Sequence, residues 1–211
     1  MIIAWPSFLA ALALLLVPIT LFHGKKVRFR GISHEWRNIW PQLFALGLHS
    51  IDLCRAALGG WLLVTSLTRN HPAGLAKYAI PATLAAVLFT AVFLQTVFRA
   101  KRDTAHACFP FVIGLIFGLY PPAIAAYAVL LALVTALGTH TPAAFFPTLA
   151  FSLLVVGFLF GGQSMLVTLG IGSISAIFPW MWSLLTSTEL VLSYRARRSS
   201  EESYPLSDQP D

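Results

Sequence analysis

Long apolar stretches constrain this chain more than any other feature. Residues 2–22, 41–67, 78–98, 107–137 and 143–194 carry among them only three charged side chains, Asp52, Arg55 and Glu189. A helix rises 1.5 Å per residue, so about 20 apolar residues cross the ~30 Å hydrocarbon core of a bilayer. Most of these stretches are long enough. With 57% hydrophobic and only 10% charged residues, against about 25% charged in ordinary soluble domains, a water-soluble globular fold is excluded. The expectation is an all-α, polytopic transmembrane helix bundle.

The span boundaries follow from the breakers. The first span is 2–22 and is followed by the most basic loop, HGKKVRFRGISHEWRN. The second, 41–67, starts on Pro41, where the first turn of a helix tolerates a missing N–H. The third is 78–98. Residues 107–120 and 124–137 flank Pro121-Pro122. They read as two spans or, since ~14 residues cover only about 21 Å, as a re-entrant hairpin. The stretch 143–194 is too long for one span. Two glycines and a serine at Gly170-Ile171-Gly172-Ser173 make it the preferred break, giving spans 146–169 and 174–194, and Gly161-Gly162-Gln163-Ser164 is the second candidate. Seven spans is the main expectation, and five spans plus the hairpin the alternative.

Orientation follows from the basic residues. The first apolar run lacks the positive leader of a cleavable signal and reads as a retained helix. Placing the loops after spans one and three, and the C-terminal tail, inside the cell collects Lys25, Lys26, Arg28, Arg30, Arg37, Arg99, Lys101, Arg102, Arg195, Arg197 and Arg198 there. Arg69 and Lys77 are left outside. By the positive-inside rule this is an N-out, C-in protein, expected in the plasma (inner) membrane. The net charge of +6 resides in these short runs and forms no continuous face, so nucleic acid is not an expected partner. The bundle is assigned to residues 1–194. The polar stretch 195–211 has almost nothing to bury and is expected to be a disordered cytoplasmic tail.

One polar cluster interrupts the apolar spans. His49, Asp52 and Arg55 recur at i, i+3 spacing on the second span and therefore share one strip of that helix. A charge at the bilayer centre costs about 2.5–3.5 kcal/mol, so Asp52 and Arg55 must neutralise each other, face water or meet a partner. Three readings are open. The strip is a proton- or ion-handling site, a structural ion pair packed on a neighbouring helix, or part of an interfacial segment from which Arg55 snorkels to the headgroups.

The remaining signals are weaker. Gln95 and Glu189 stand in the cytoplasmic thirds of their spans, within reach of headgroups. Gly114-x-x-x-Gly118 has the spacing that lets helices approach closely, inside the bundle or between copies. Cys54 and Cys108 read as small buried hydrophobes. His23, His34, His106 and His140 have no metal-ligand spacing. No nucleophile elbow, paired intramembrane acids or phosphate-binding glycine loop is present, so no catalytic residue and no cofactor is assigned. A seven-span, N-out layout invites comparison with rhodopsins, but residues 174–194 lack the lysine that would hold retinal. The expected function is transport or sensing of a small solute or proton. The alternative is a structural or assembly subunit of a membrane complex, with lipid and other membrane proteins or further copies as partners. A membrane-embedded lipid-modifying enzyme comes third.

Overall fold

The computed structural model describes residues 4–18, 25–28, 47–68, 76–98, 104–139, 141–161 and 165–194. Seven α-helices occur among them: α1 (Trp5–Leu16), α2 (Gly47–Thr68), α3 (Ala76–Val97), α4 (Phe109–Leu119), α5 (Pro122–Gly138), α6 (Phe145–Gly161) and α7 (Leu166–Thr186). Three short strands, β1 (Lys25–Arg28), β2 (Thr104–His106) and β3 (Glu189–Tyr194), complete the architecture. The helical bundle expected from sequence is present. The tail at 195–211 lies outside the described residues.

Proline sets several boundaries. Val17, extended at ψ 116° before Pro18, closes α1, because a residue preceding proline avoids the helical region. Extended Tyr120 closes α4 before Pro121-Pro122, and Pro122 opens α5 at its first turn. Helix α6 ends at Gly161 and α7 begins at Leu166. This corrects the preferred break at Gly170–Ser173, which lies inside α7. Gly172 serves packing there: a Cβ on it would overlap the Tyr120 hydroxyl, which donates to the Thr168 carbonyl at 2.7 Å. The glycine opens a slot in α7 that the tyrosine fills.

The sheet was not foreseen. Residues 189–194 were expected to end the last helix, but α7 stops at Thr186 with Ser187 left-handed at φ 51°, and Thr188 N–H closes back on the Ser183 carbonyl at 3.0 Å. The following ELVLSY segment is β3, the central strand. It pairs antiparallel with β1 (Lys25 opposite Tyr194, Arg28 opposite Val191) and parallel with β2 (Thr104 opposite Glu189, His106 opposite Val191).

Two hydrophobic clusters hold the helices. Ala11, Leu15, Ala56, Leu63, Leu88 and Val92 join α1, α2 and α3. Ala128, Ala132, Phe146, Leu149, Leu153 and Leu169 join α5, α6 and α7. Helix α4 belongs to both: Phe111 and Leu115 enter the first cluster and Val112 and Ile116 the second, each at most 1% exposed. Its approach to α2 is backbone to backbone. A Cβ on Gly114 would overlap the Leu53 carbonyl, and one on Gly118 the Ala57 carbonyl. The Gly-x-x-x-Gly spacing is thus used within the bundle. The clusters also meet where Phe89 and Phe93 of α3 pack edge-on against Phe178, and Phe93 against Trp182, both on α7.

The outward faces are apolar. Ile51, Leu58 and Trp61 on α2, Tyr127, Leu130 and Val134 on α5, and Phe151, Phe158 and Leu159 on α6 are all more than 45% exposed. Cys54 lies on the same outward strip of α2 and is exposed, correcting its reading as a buried hydrophobe.

Candidate functional site

Helix α2 turns its outward strip of Ile51, Cys54, Leu58 and Trp61 away from its neighbours, which leaves Asp52 and Arg55 on the inner side, against α1 and α4. Asp52 is 3% exposed. Both Arg55 Nε and Nη2 donate to the same carboxylate oxygen, Oδ1, at 3.2 and 2.6 Å. The remaining guanidinium nitrogen, Nη1, donates to the Val17 carbonyl at the end of α1. The flat face of the guanidinium lies over the Phe111 ring, 5.5 Å from its centroid, a cation–π contact with α4.

A second side chain reaches the same helix end. Gln95 of α3 is 2% exposed, and its Nε2 donates to the Val17 and Leu15 carbonyls at 3.1 and 3.4 Å. The last carbonyls of a helix have no intrahelical donor, and the terminus carries partial negative charge. Arg55 and Gln95 supply donors and, from Arg55, positive charge. Sequence reading had placed Gln95 toward the headgroups, whereas it is enclosed. Its position near the end of its span suited either reading, since an amide there can reach headgroups or, when enclosed, must find an internal partner. The carbonyls of Leu15 and Val17 left no side-chain signature at all.

The structure thus brings Asp52, Arg55 and Gln95 together with the end of α1. His49 follows the same strip on α2, but its side chain lies outside the described residues. Beside the network, Thr96 Oγ1 donates to the Val92 carbonyl at 2.8 Å and stands 3.8 Å from Cys108 Sγ. His106 is buried in β2. Glu189 opens β3, not a helix, and its side chain, like His23, His34 and His140, lies outside the described residues. Among the described residues no three His, Cys, Asp or Glu side chains gather as metal ligands do.

Chemically, this arrangement clamps three helices. The carboxylate holds the guanidinium in a fixed orientation, and the guanidinium and amide hold the end of α1. The fold and site define a helical bundle with a buried charged tie. Compared with known proteins, the chain matches no family, no curated protein and no solved structure.

Proposed function

We propose that this chain is a multi-pass membrane protein with seven spans, N-terminus out and C-terminus in, acting as a structural or assembly subunit of a membrane complex. The observation that carries the structural role is where the Arg55 donors go. They serve Asp52 and the Val17 carbonyl, so the one charged cluster on α2 is engaged in tying α2 to the end of α1, which Gln95 of α3 also holds.

Membrane residence is supported by the lengths of α2, α3 and α7, which at 22, 22 and 21 residues reach about 32–33 Å, and by the apolar outward faces. The seven-span count is supported at both ends of α4. Phe109 stacks on Phe146 at the start of α6 with ring centroids 4.8 Å apart, while Tyr120 reaches Thr168 at the start of α7. Helix α4 therefore runs the same way as α6, with its two ends near the starts of α6 and α7, which favours two spans over a hairpin. The single-sided placement of the basic segments is supported by β1, β2 and β3 joining in one sheet.

Asp52→Asn tests the structural reading against transport of a solute or proton. In proteoliposomes the wild type is expected to carry no proton or solute flux above protein-free vesicles, and Asp52→Asn to lower the folded yield. The exchange Asp52→Arg with Arg55→Asp restores part of that yield if the pair acts through its mutual attraction. A wild-type flux abolished by Asp52→Asn at unchanged yield would replace this reading with transport.

A further inference from the structure

We infer that the three-stranded sheet is a docking surface for the anionic headgroups of acidic phospholipids. This rests on the proposed membrane residence, with the sheet at one surface of the bilayer. The sheet stands at one end of the bundle, where α3 and α7 finish and α4 begins: β2 links α3 to α4, and β3 leaves α7.

Among the described residues, strand order makes β1 an edge, with β3 between it and β2. Ala105 and His106 of β2 are buried, so β2 is the covered edge. Three of the four β1 residues are basic: Lys25, Lys26 and Arg28. Glu189 is the only acid in the three strands. Leu190 packs on the helices through the second hydrophobic cluster and fixes which face of β3 meets the bundle. Strand β1 pairs with β3 along its whole length, Lys25 opposite Tyr194 and Arg28 opposite Val191, which sets the basic run of β1 beside the central strand.

In the sequence, Arg99, Lys101, Arg102 and the single acid Asp103 precede β2, and Arg195, Arg197 and Arg198 follow β3. An edge strand of this composition resists pairing with another strand. Its charge complements a surface bearing acidic lipid, where each basic residue strengthens association by up to about fivefold when it lies at the headgroups, an effect that salt screens. Zwitterionic headgroups offer no net charge to it.

The test uses the full chain purified in mixed micelles of dodecyl maltoside with equal phosphatidylglycerol and phosphatidylcholine, retained lipid being counted by mass spectrometry. Wild type should retain phosphatidylglycerol over phosphatidylcholine by about tenfold or more. The triple variant Lys25→Gln, Lys26→Gln, Arg28→Gln should fall to about twofold, while Arg69→Gln with Lys77→Gln keeps the wild-type ratio. An unchanged ratio in the triple variant, or an equal loss in the double variant, overturns the proposal. Should the triple variant fail to fold, wild type decides: raising NaCl from about 0.05 to 0.5 M should erase the preference, and a salt-indifferent ratio overturns it. Orientation is read separately, by labelling Lys26→Cys in intact cells with an impermeant maleimide. Labelling from outside would sink the N-out, C-in reading while leaving the micelle measurement of the sheet to stand or fall alone.

Discussion

The two halves of the bundle are held together by different means. Around α5, α6 and α7 the contacts are apolar, built from small residues such as Ala128 and Ala132 facing Phe146, Leu149 and Leu153. Helix α1, only 12 residues long, adds to its apolar contacts through Ala11 and Leu15 a polar anchor to α2 and α3, an ion pair and an amide that take up its terminal carbonyls. In lipid, apolar surface alone gives helices little reason to associate, and close packing or interhelical hydrogen bonds must supply the specificity. A long helix with long neighbours meets that need through shape. A short one offers fewer contacts, and here the polar tie marks where it ends.

This contrast breaks most sharply at Arg55. Replacing it by Met removes the guanidinium that holds Asp52 Oδ1 and the Val17 carbonyl, and loss of one partner of a buried ion pair costs about 3–5 kcal/mol. Unfolding in a denaturant series should show that loss, and Asp52→Leu added to Arg55→Met should recover most of it. A single variant within about 0.5 kcal/mol of wild type would mean that α1 is held by its apolar contacts after all.

An intermediate effect is expected where α4 meets α2. Gly118→Val forces side-chain atoms onto the Ala57 carbonyl and Trp61 amide. Neither can move without shifting the α2 backbone, and overpacking of this kind costs about 1–3 kcal/mol. Gly138, with nothing near its Cβ position, is the matched control: Gly138→Ala should be neutral or slightly stabilising on the same denaturation curve.

The smallest effect belongs to the apolar half. Tyr120→Phe deletes the one hydrogen bond to Thr168 while keeping the ring, and about 1 kcal/mol of stability should go with it. A loss as large as that of Arg55→Met would erase the distinction between the halves.

Much of the bundle was legible in the sequence because it follows from local rules. Pro18 and Pro121-Pro122 end helices through the restriction on the preceding residue, and apolar length marks the helices. What escaped is non-local. Residues 189–194 continue an apolar run and read as helix, because β3 exists only by pairing with strands about 85 and 165 positions away in sequence. Glycines were equally ambiguous. Gly161 ends a helix, whereas Gly170 and Gly172 look like a turn and sit in a helix, since whether a glycine breaks a helix or admits a neighbour depends on what faces it. At the candidate site, i, i+3 spacing predicted that Asp52 and Arg55 meet. It held no information on the partners from α1 and α3, whose contribution is two carbonyls and an amide.

The enclosure of α4 has a consequence for biogenesis. Helices α1, α2 and α3 are made first, but Leu53, Ala57 and Gly60 of α2 have their close neighbour only once residues 109–119 have left the ribosome. Until then the face of α2 that receives Gly114 and Gly118 has no covering helix. Helix α4 covers that face and, in the same step, offers Val112 and Ile116 as the wall on which α5, α6 and α7 assemble. The order of synthesis is thereby written into the packing: the early half waits for the middle helix, and the late half is built upon it.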